Sequence, residues 1–186
     1  MWKWIHEFDK IYIFCSTFAE DGTWCQFDPY LNSGKVEVFT QFTEPQIRKL
    51  WNKAKKNKIQ NGRFHTLFYF DDFGGTKGFK SNQDTGVLNE LFCRGNHSGI
   101  SCIYVIQKFT QASVTMRLNS EAFIVFFTQQ KNELDAMFNE FGYGDRSPFI
   151  KLLQQCTQEP YHTFYVNRQG PGQPDYYHNF IKINLK

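Results

Sequence analysis

Long apolar runs are missing from this sequence. Although 41% of its 186 residues are hydrophobic and 21 of them are Phe, no run approaches the roughly 18 apolar residues that a membrane-spanning helix needs. The N-terminal residues carry acids early and lack an apolar core followed by small residues, so a secretory signal is excluded. No repeat, low-complexity tract or Pro/Gly/Ser-rich linker is present. We therefore expect a soluble, intracellular protein with one domain over residues 1–186.

Cysteines and histidines at the spacing of metal ligands are also missing. The five cysteines form no pair at the spacing of a zinc site, the histidines show no ligand pattern, and an odd cysteine count does not suit a disulfide framework. We interpret the cysteines as reduced core thiols, and two of them, Cys15 and Cys102, lie in apolar runs. The net charge of +3 is mild, so it permits a nucleic-acid partner without requiring one.

The chain alternates apolar runs with amphipathic segments. Runs typical of strands occupy residues 11–15, 36–39, 67–70, 100–106 and 122–127. Because strands alternate with helices, the pattern predicts an α/β fold with a mainly parallel sheet flanked by helices. Residues 158–186 differ, since two strand-like runs flank the Gly- and Pro-rich residues 170–174. We expect an antiparallel hairpin as a C-terminal β addition there.

The clearest helix signal begins at Thr43, where Gln46 completes a capping-box pattern. One face of this helix is apolar, through Ile47, Leu50, Trp51 and Ala54. Between Arg48 and Lys58 the sequence carries six basic residues and no acid: Arg48, Lys49, Lys53, Lys55, Lys56 and Lys58. We predict a DNA contact through Lys53, Lys55 and Lys56, and a solvated surface is the alternative. A second helix is predicted with Asp84 or Thr85 as its N-cap and Gly95 as its stop.

Two adjacent acids, Asp71 and Asp72, end a run that reads as a strand buried on both faces. Unpaired charges at the rim of an apolar sheet are costly, and a divalent metal carrying phosphates is a common reason for them. The pattern resembles a Walker B motif: Asp71 is predicted to hold Mg²⁺, and Asp72 to orient or deprotonate the water that attacks a γ-phosphate. The alternative is that one acid caps the next helix and the other is solvated.

Further polar residues are candidates for the same crevice, which in a parallel sheet lies beyond the carboxyl ends of the strands. We expect Asp72, Gln107 and the loop after Gly95 to converge there. Gln107 would sense the γ-phosphate or hold the attacking water, or else satisfy nearby backbone. A weaker alternative is a metal-dependent nuclease built on Asp71, Asp72 and His97, although further carboxylates for two metals are missing.

Two arginines, Arg94 and Arg117, are candidates for charge compensation in the transition state, because a guanidinium can neutralise phosphoryl oxygens bound by a neighbouring subunit. A surface salt bridge is the alternative for each. Residues 74–81 resemble a phosphate-binding P-loop, but Phe79 stands where a glycine should precede Lys80. That segment is better interpreted as a flexible loop with two lysines.

The order of these segments resembles the genome-packaging ATPases of large double-stranded DNA viruses, virophages and Polinton-type elements, in the FtsK/HerA-like branch of P-loop NTPases. The resemblance is carried by residues 8–14, 67–72, 88–101, 107, 117–120 and 123–127. It implies a RecA-like ATPase core that assembles into a ring, uses Mg²⁺ and ATP, and moves double-stranded DNA into a preformed capsid. It also implies a virus-associated protein of the host cytoplasm or nucleus, with the capsid protein as a partner.

The sequence departs from that family at its start. In the family the P-loop precedes the strand matched here by residues 11–14, and only residues 1–10 stand before it in this sequence. Some relatives also carry an arginine where this chain has Asn96. We therefore expect a packaging ATPase that is a fragment or an inactive remnant without the P-loop. The alternative is a non-catalytic DNA- or ring-binding assembly protein that retains the fold.

Overall fold

The computed structural model describes residues 3–20, 22–71 and 86–184, and these residues form two four-stranded sheets. The strands are β1 Lys10–Cys15, β2 Val36–Phe39, β3 Thr66–Asp71, β4 Ile100–Tyr104, β5 Ala122–Val125, β6 Phe164–Asn167, β7 Asp175–His178 and β8 Ile181–Lys182. The α-helices are α1 Asp28–Asn32, α2 Glu44–Asn61, α3 Val87–Arg94, α4 Val114–Leu118, α5 Lys131–Phe141 and α6 Arg146–Thr157. Short 3₁₀ turns occupy Lys3–Glu7, Gly22–Phe27, Gly95–Ser98 and Phe109–Gln111.

The chain divides into two compact units, Met1–Met116 and Arg117–Lys186. The first unit holds β1 to β4, and the second holds β5 to β8. Each unit is described by itself below. That residues 1–186 form a single domain stays a prediction.

The sheet of the first unit is parallel throughout, with the strand order β2-β1-β3-β4. The predicted parallel sheet flanked by helices is therefore confirmed. Its central strands are buried on both faces, as parallel strands usually are: residues 11–15 of β1 and 66–70 of β3 are all buried. Among the described strands β4 forms one edge, and Ile103 on it is 39% exposed.

Both α2 and α3 pack on one face of this sheet, against a stack of phenylalanine rings. The ring of Phe14 lies 4.8 Å from that of Phe70 and 5.1 Å from that of Phe39, between centroids. The opposite face packs on the first 3₁₀ turns, where Trp24 contacts Tyr69 edge-on at 5.8 Å. Large aromatic side chains buried in this way supply most of the free energy that holds the layers together.

The ends of α2 follow the sequence signals. The hydroxyl of Thr43 accepts a hydrogen bond from the N–H of Gln46 at 3.4 Å, as predicted for an N-cap. At the other end Gly62 has φ +69° and donates its N–H to the carbonyl of Lys58 at 2.9 Å. Helix α3 starts after Gly86, and its predicted stop at Gly95 is confirmed. The predicted N-caps, Asp84 and Thr85, lie outside the described residues.

The second unit is an antiparallel sheet with the order β5-β6-β7-β8. The expected C-terminal hairpin is confirmed as β6 and β7. The apolar run at 122–127, in contrast, does not continue the parallel alternation, because β5 pairs antiparallel with β6 and ends at Val125. In its core Tyr176 stacks on Phe164 at 5.4 Å and donates its hydroxyl to the carbonyl of Phe141 at 2.6 Å.

All five cysteines are free thiols. Cys15 and Cys156 are buried, which fits their interpretation as core residues, whereas Cys25 is exposed, so that interpretation is wrong for Cys25. It lies in a 3₁₀ turn and not in an apolar strand. No α-helix built from the described residues is long and apolar enough to cross a membrane.

Candidate functional site

The carboxyl end of β3 presents Asp71. This residue is half-buried at the end of a strand whose preceding residues are all buried, and it pairs with Cys15 of β1. Tyr69 lies on the same face two residues earlier. Burial raises the pKa of Tyr69, and the negative charge of Asp71 raises it further. The negative charge of Asp71 therefore acts on the adjoining part of this face of the sheet.

A carboxylate such as that of Asp71 is a type of side chain that Mg²⁺ binds in proteins. Mg²⁺ is commonly held by one or two carboxylates together with substrate phosphates and water, so a single carboxylate is sufficient protein ligation. In the ranges that the structure describes, no group of three or more His, Cys, Asp or Glu side chains could hold a metal ion by itself. Asp72, the second predicted acid, and residues 73–85, which include the segment predicted as a loop, lie outside the described residues.

Gln107 lies at the same end of the sheet as Asp71, the carboxyl end. Strand β4 ends at Tyr104, three residues before Gln107, so the prediction that the strand ends in Gln107 is wrong. The apolar residues Val105 and Ile106 follow the last residue of β4 and lie outside its bounds. The N–H of Val105 still donates to the carbonyl of Phe70 at 2.8 Å, and the exposed Gln107 follows it beyond the carboxyl ends of the strands.

The loop after Gly95 lies at the opposite end of the sheet. It leads into β4, and the N–H of Thr66, the first residue of β3, donates to the carbonyl of Gly99 at 2.8 Å. Five residues of extended strand, about 17 Å, separate Thr66 from Asp71. The predicted convergence of this loop with the acids is therefore wrong, because the loop precedes its strand instead of following it. The same distance contradicts a nuclease site that would join Asp71 to His97.

Arg117 belongs to an ion-pair network in the second unit. Its Nε lies 3.3 Å from Oε2 of Glu140, and its side chain is only 16% exposed. Arg168 contacts Oε1 of the same glutamate at 3.4 Å and donates to the Arg117 carbonyl at 3.1 Å. The salt-bridge alternative therefore describes Arg117 as the structure places it. Its predicted catalytic role stays a prediction.

The predicted DNA-contact residues lie on two flanks of α2. Lys53 and Lys56 line a groove of about 890 Å³ toward β2, where Nζ of Lys53 is 3.7 Å from Oε1 of Glu37. Burial would raise the pKa of Glu37, but hydrogen bonds and charge from Lys10 and Lys53 lower it overall. Lys55 instead lines a cleft toward α3. All three lysines are exposed, so each remains available to a ligand.

The cleft beside Lys55 has a volume of about 420 Å³ and brings Arg94 and His97 together with α2. Within it Arg48 meets Glu90 through both oxygens, with Nη2–Oε1 at 3.0 Å and Nη1–Oε2 at 3.3 Å. The hydrogen bonds that Arg48 donates to Glu90 and to Glu44 raise the pKa of Arg48, and the bonds donated to Glu90 lower the pKa of that carboxylate.

Sequence reasoning missed this arrangement. Arg48 and Glu90 are 42 residues apart, and no local pattern links them. Only the pair of Glu44 and Arg48, spaced i and i+4 on α2, carried a signal that could have been found.

The fold defines a class of protein. It matches the genome-packaging NTPase B204 of Sulfolobus turreted icosahedral virus 2 in complex with ATPγS, with a TM-score of 0.65 and 16% identity over 97% of this chain and 86% of that chain. It also matches B204, the DNA-packaging ATPase of Sulfolobus turreted icosahedral virus, with a TM-score of 0.67 and 16% identity over 97% and 85% of the two chains. At this identity the likeness shows the fold, which is that of a viral packaging NTPase.

The family follows from the sequence. Residues 4–165 match the poxvirus A32 protein family, and the chain belongs to that family. Comparison with individual curated proteins gives no match. Family and fold together confirm the predicted resemblance to viral genome-packaging ATPases of the FtsK/HerA type.

Proposed function

We propose that this chain is a viral-type DNA-packaging ATPase that works on double-stranded DNA in infected cells. The proposal rests on the family, on the packaging-NTPase fold, and on one observation that carries the chemistry: Asp71 at the carboxyl end of a buried parallel strand. That end of the sheet is where α/β folds of this kind take their ligands.

The nucleotide is assigned to the carboxyl end of the first sheet. The B204 structures hold ATPγS and AMPPCP, which is a property of that protein. In this chain Asp71 would hold Mg²⁺, Asp72 would orient or deprotonate the attacking water, and Gln107 would hold that water or sense the γ-phosphate. Bound Mg²⁺ would neutralise charge on the phosphates. Residues 1–186 contain no Gly-Lys-Ser or Gly-Lys-Thr, so a cradle for the phosphates is not part of this assignment.

Arg94 and Asp71 of one copy lie at opposite ends of the sheet. We therefore assign Arg94 to a phosphate other than the one bound beside Asp71 of the same copy. A second copy of the chain in a ring would bring such a phosphate to Arg94. We place DNA along α2, at Lys53, Lys55 and Lys56. Delivery of the DNA into a capsid, with capsid protein as a partner, and residence in the host cytoplasm or nucleus complete the proposal.

A second candidate function is a non-catalytic assembly protein that binds DNA or a ring partner. The observation that favours it is the basic surface of α2 with its two concave flanks, because this surface needs no nucleotide to bind phosphates.

Calorimetric titration of Mg·ATP into the purified chain separates the two candidates. The ATPase proposal expects saturable binding that Asp71→Asn weakens at least 10-fold, because the substitution removes the charge of the metal ligand. Asp145→Asn is the matched control, since this exposed N-cap residue of α6 makes no side-chain cap bond. Absence of binding, or equal affinities in the two variants, would leave the assembly protein as the remaining candidate.

A further inference from the structure

The cleft between α2, α3 and the 3₁₀ turn Gly95–Ser98 collects positive charge that its own walls do not neutralise. Its charged walls are the cations Arg48, Lys55 and Arg94 and a single acid, Glu90. Both oxygens of Glu90 are taken up by Arg48. In the described part of the chain neither Lys55 nor Arg94 forms an ion pair, and both are exposed.

The turn that carries His97 is fixed to α2 before any ligand arrives. Nε1 of Trp51 donates to Oγ of Ser98 at 2.9 Å, and Nζ of Lys58 donates to the carbonyl of His97 at 3.0 Å. The Ser98 side chain, which lines the cleft, and the backbone carbonyl of His97 are therefore both held by hydrogen bonds from α2. Groups held in this way bind a ligand with less loss of conformational entropy than groups that must first be ordered.

Gly99 sets the shape of that turn. It has φ +69°, and a Cβ at this position would lie 2.6 Å from the carbonyl oxygen of Phe64. Only glycine fits both the left-handed backbone and the close approach. The chain thus enters β4 along one path, and that path leaves Arg94 and His97 exposed beside the cleft.

We infer that this cleft is a phosphate-binding site in which Lys55 and Arg94 supply the charge and His97 supplies a further hydrogen-bond donor. A guanidinium presents paired N–H donors that match phosphate oxygens, and a lysine ammonium adds a point charge. The inference deepens the proposed function, on which the choice of phosphate rests. Two sources share this chemistry: the backbone of duplex DNA and the nucleotide carried by a second copy of the chain.

The bidentate pair of Arg48 and Glu90 positions the walls of the site. It joins α2 to α3, and Glu44 holds the same guanidinium with Nε–Oε1 at 2.9 Å. Arg48 is therefore a positioning residue, whereas Lys55 and Arg94 are the residues that would contact phosphate.

The test uses the full chain and two probes, a fluorescein-labelled 20-base-pair duplex and a fluorescent ATP analogue without Mg²⁺. The double variant Lys55→Ala/Arg94→Ala is compared with the control double variant Lys131→Ala/Lys151→Ala. The control removes the same net charge at exposed positions of the second unit. Thermal unfolding of each variant checks that the fold is intact, which is expected because all four side chains are exposed.

The expected result is a loss of about 10-fold in affinity for at least one probe in the Lys55→Ala/Arg94→Ala variant. For duplex the slope of log K against log salt should fall by about 1.8, since two phosphate contacts are lost. A loss confined to duplex identifies the DNA backbone as the source, and a loss confined to the nucleotide identifies a second copy's ATP. The single variant Arg94→Lys should show a smaller loss, because it keeps the charge but not the fork.

The inference is overturned if the Lys55→Ala/Arg94→Ala variant loses no more affinity for either probe than the control variant. Because no Mg²⁺ is present, this outcome does not depend on a metal ion held by Asp71. Failure of the ATPase proposal, in which Asp71→Asn leaves Mg·ATP affinity unchanged, is thus distinguishable from failure of the phosphate cleft.

Discussion

At the carboxyl end of the parallel sheet the chain places Asp71 and, beyond β4, Gln107, whereas toward the amino end it places Arg94 and His97. The two ends are separated by the length of β3, about 17 Å from its first to its last residue. We propose a metal ion at the first end and a phosphate at the second. On this proposal the two groups of one copy would act on different phosphates.

Both ends depend on the same aromatic core. Phe14 is fully buried and stacks on Phe39, Phe68 and Phe70. Phe14→Ala should therefore destabilise the parallel sheet whose length separates the two ends. We expect a loss of about 3–5 kcal/mol in the free energy of unfolding, measured by urea denaturation. Ile59→Ala is the control: it removes a 73% exposed side chain of α2 and should change stability by less than about 0.5 kcal/mol. A loss below about 1 kcal/mol for Phe14→Ala would contradict this packing.

The amino end alone should be disturbed by Gly99→Ala. The φ of +69° and the 2.6 Å approach to the Phe64 carbonyl predict a cost of about 2–3 kcal/mol and weaker binding of duplex. Gly62→Ala is a matched control, since Gly62 has the same φ but nothing within 4 Å of the added Cβ. We expect about 1 kcal/mol there. Equal costs for the two variants would show that the close approach at Gly99 is not a constraint.

Helix α2 spans the sheet from one end to the other, and its N-cap residue, Thr43, lies at the carboxyl end of the sheet. Thr43→Ala removes the hydroxyl that accepts from Gln46 and should cost about 1 kcal/mol in the free energy of unfolding. Binding of duplex should be unchanged, because the basic residues near Lys55 lie more than two turns away. Thr40→Ala, at an exposed position before the helix, is the control with an expected change below about 0.5 kcal/mol. Equal changes in the two variants would show that the Thr43 hydroxyl does not stabilise the start of α2.

The smallest effect concerns the pair of Arg48 and Glu90. The pKa of Glu90 is lowered in the folded chain by the hydrogen bond from Arg48, so its stabilisation is present above the unfolded pKa of about 4.3 and is lost as pH falls through the folded value. Glu90→Gln should therefore lower the urea midpoint slightly at pH 7 and have a smaller effect near pH 3. Glu159→Gln, at an exposed position, should be neutral at both pH values. A shift for Glu90→Gln that is independent of pH would contradict an ion pair.

Local signals predicted the bounds of helices and strands better than they predicted which strands pair with each other. The bounds of β2, the cap at Thr43 and the stop at Gly95 all follow from residues within one turn or strand. Partner choice is non-local: the apolar run at 122–127 indicated a strand but not that β5 would pair with β6, some 40 residues further along the chain. No local signal marked the end of β4 at Tyr104 either, since the apolar residues Val105 and Ile106 follow it.

The site divides in the same way. The placement of Asp71 at the end of a buried strand could be predicted, because a strand followed by acids marks the edge of a parallel sheet. The cleft could not, since Trp51 and Ser98 are 47 residues apart and meet only when α2 and α3 pack on one face. The separation of Arg94 from the acids could have been predicted, because the loop after Gly95 precedes β4 and a loop that precedes a parallel strand lies at the amino end of the sheet.

The central claim is that Asp71 holds a divalent ion beside a nucleotide at the carboxyl end of the parallel sheet. Electron paramagnetic resonance with Mn²⁺, titrated into the chain in the presence of ATP, measures it most directly. The account predicts that Asp71→Asn lowers the affinity for Mn²⁺ by about 10- to 100-fold while Asp145→Asn leaves it unchanged. Equal Mn²⁺ affinity in the original chain and in Asp71→Asn would contradict the claim.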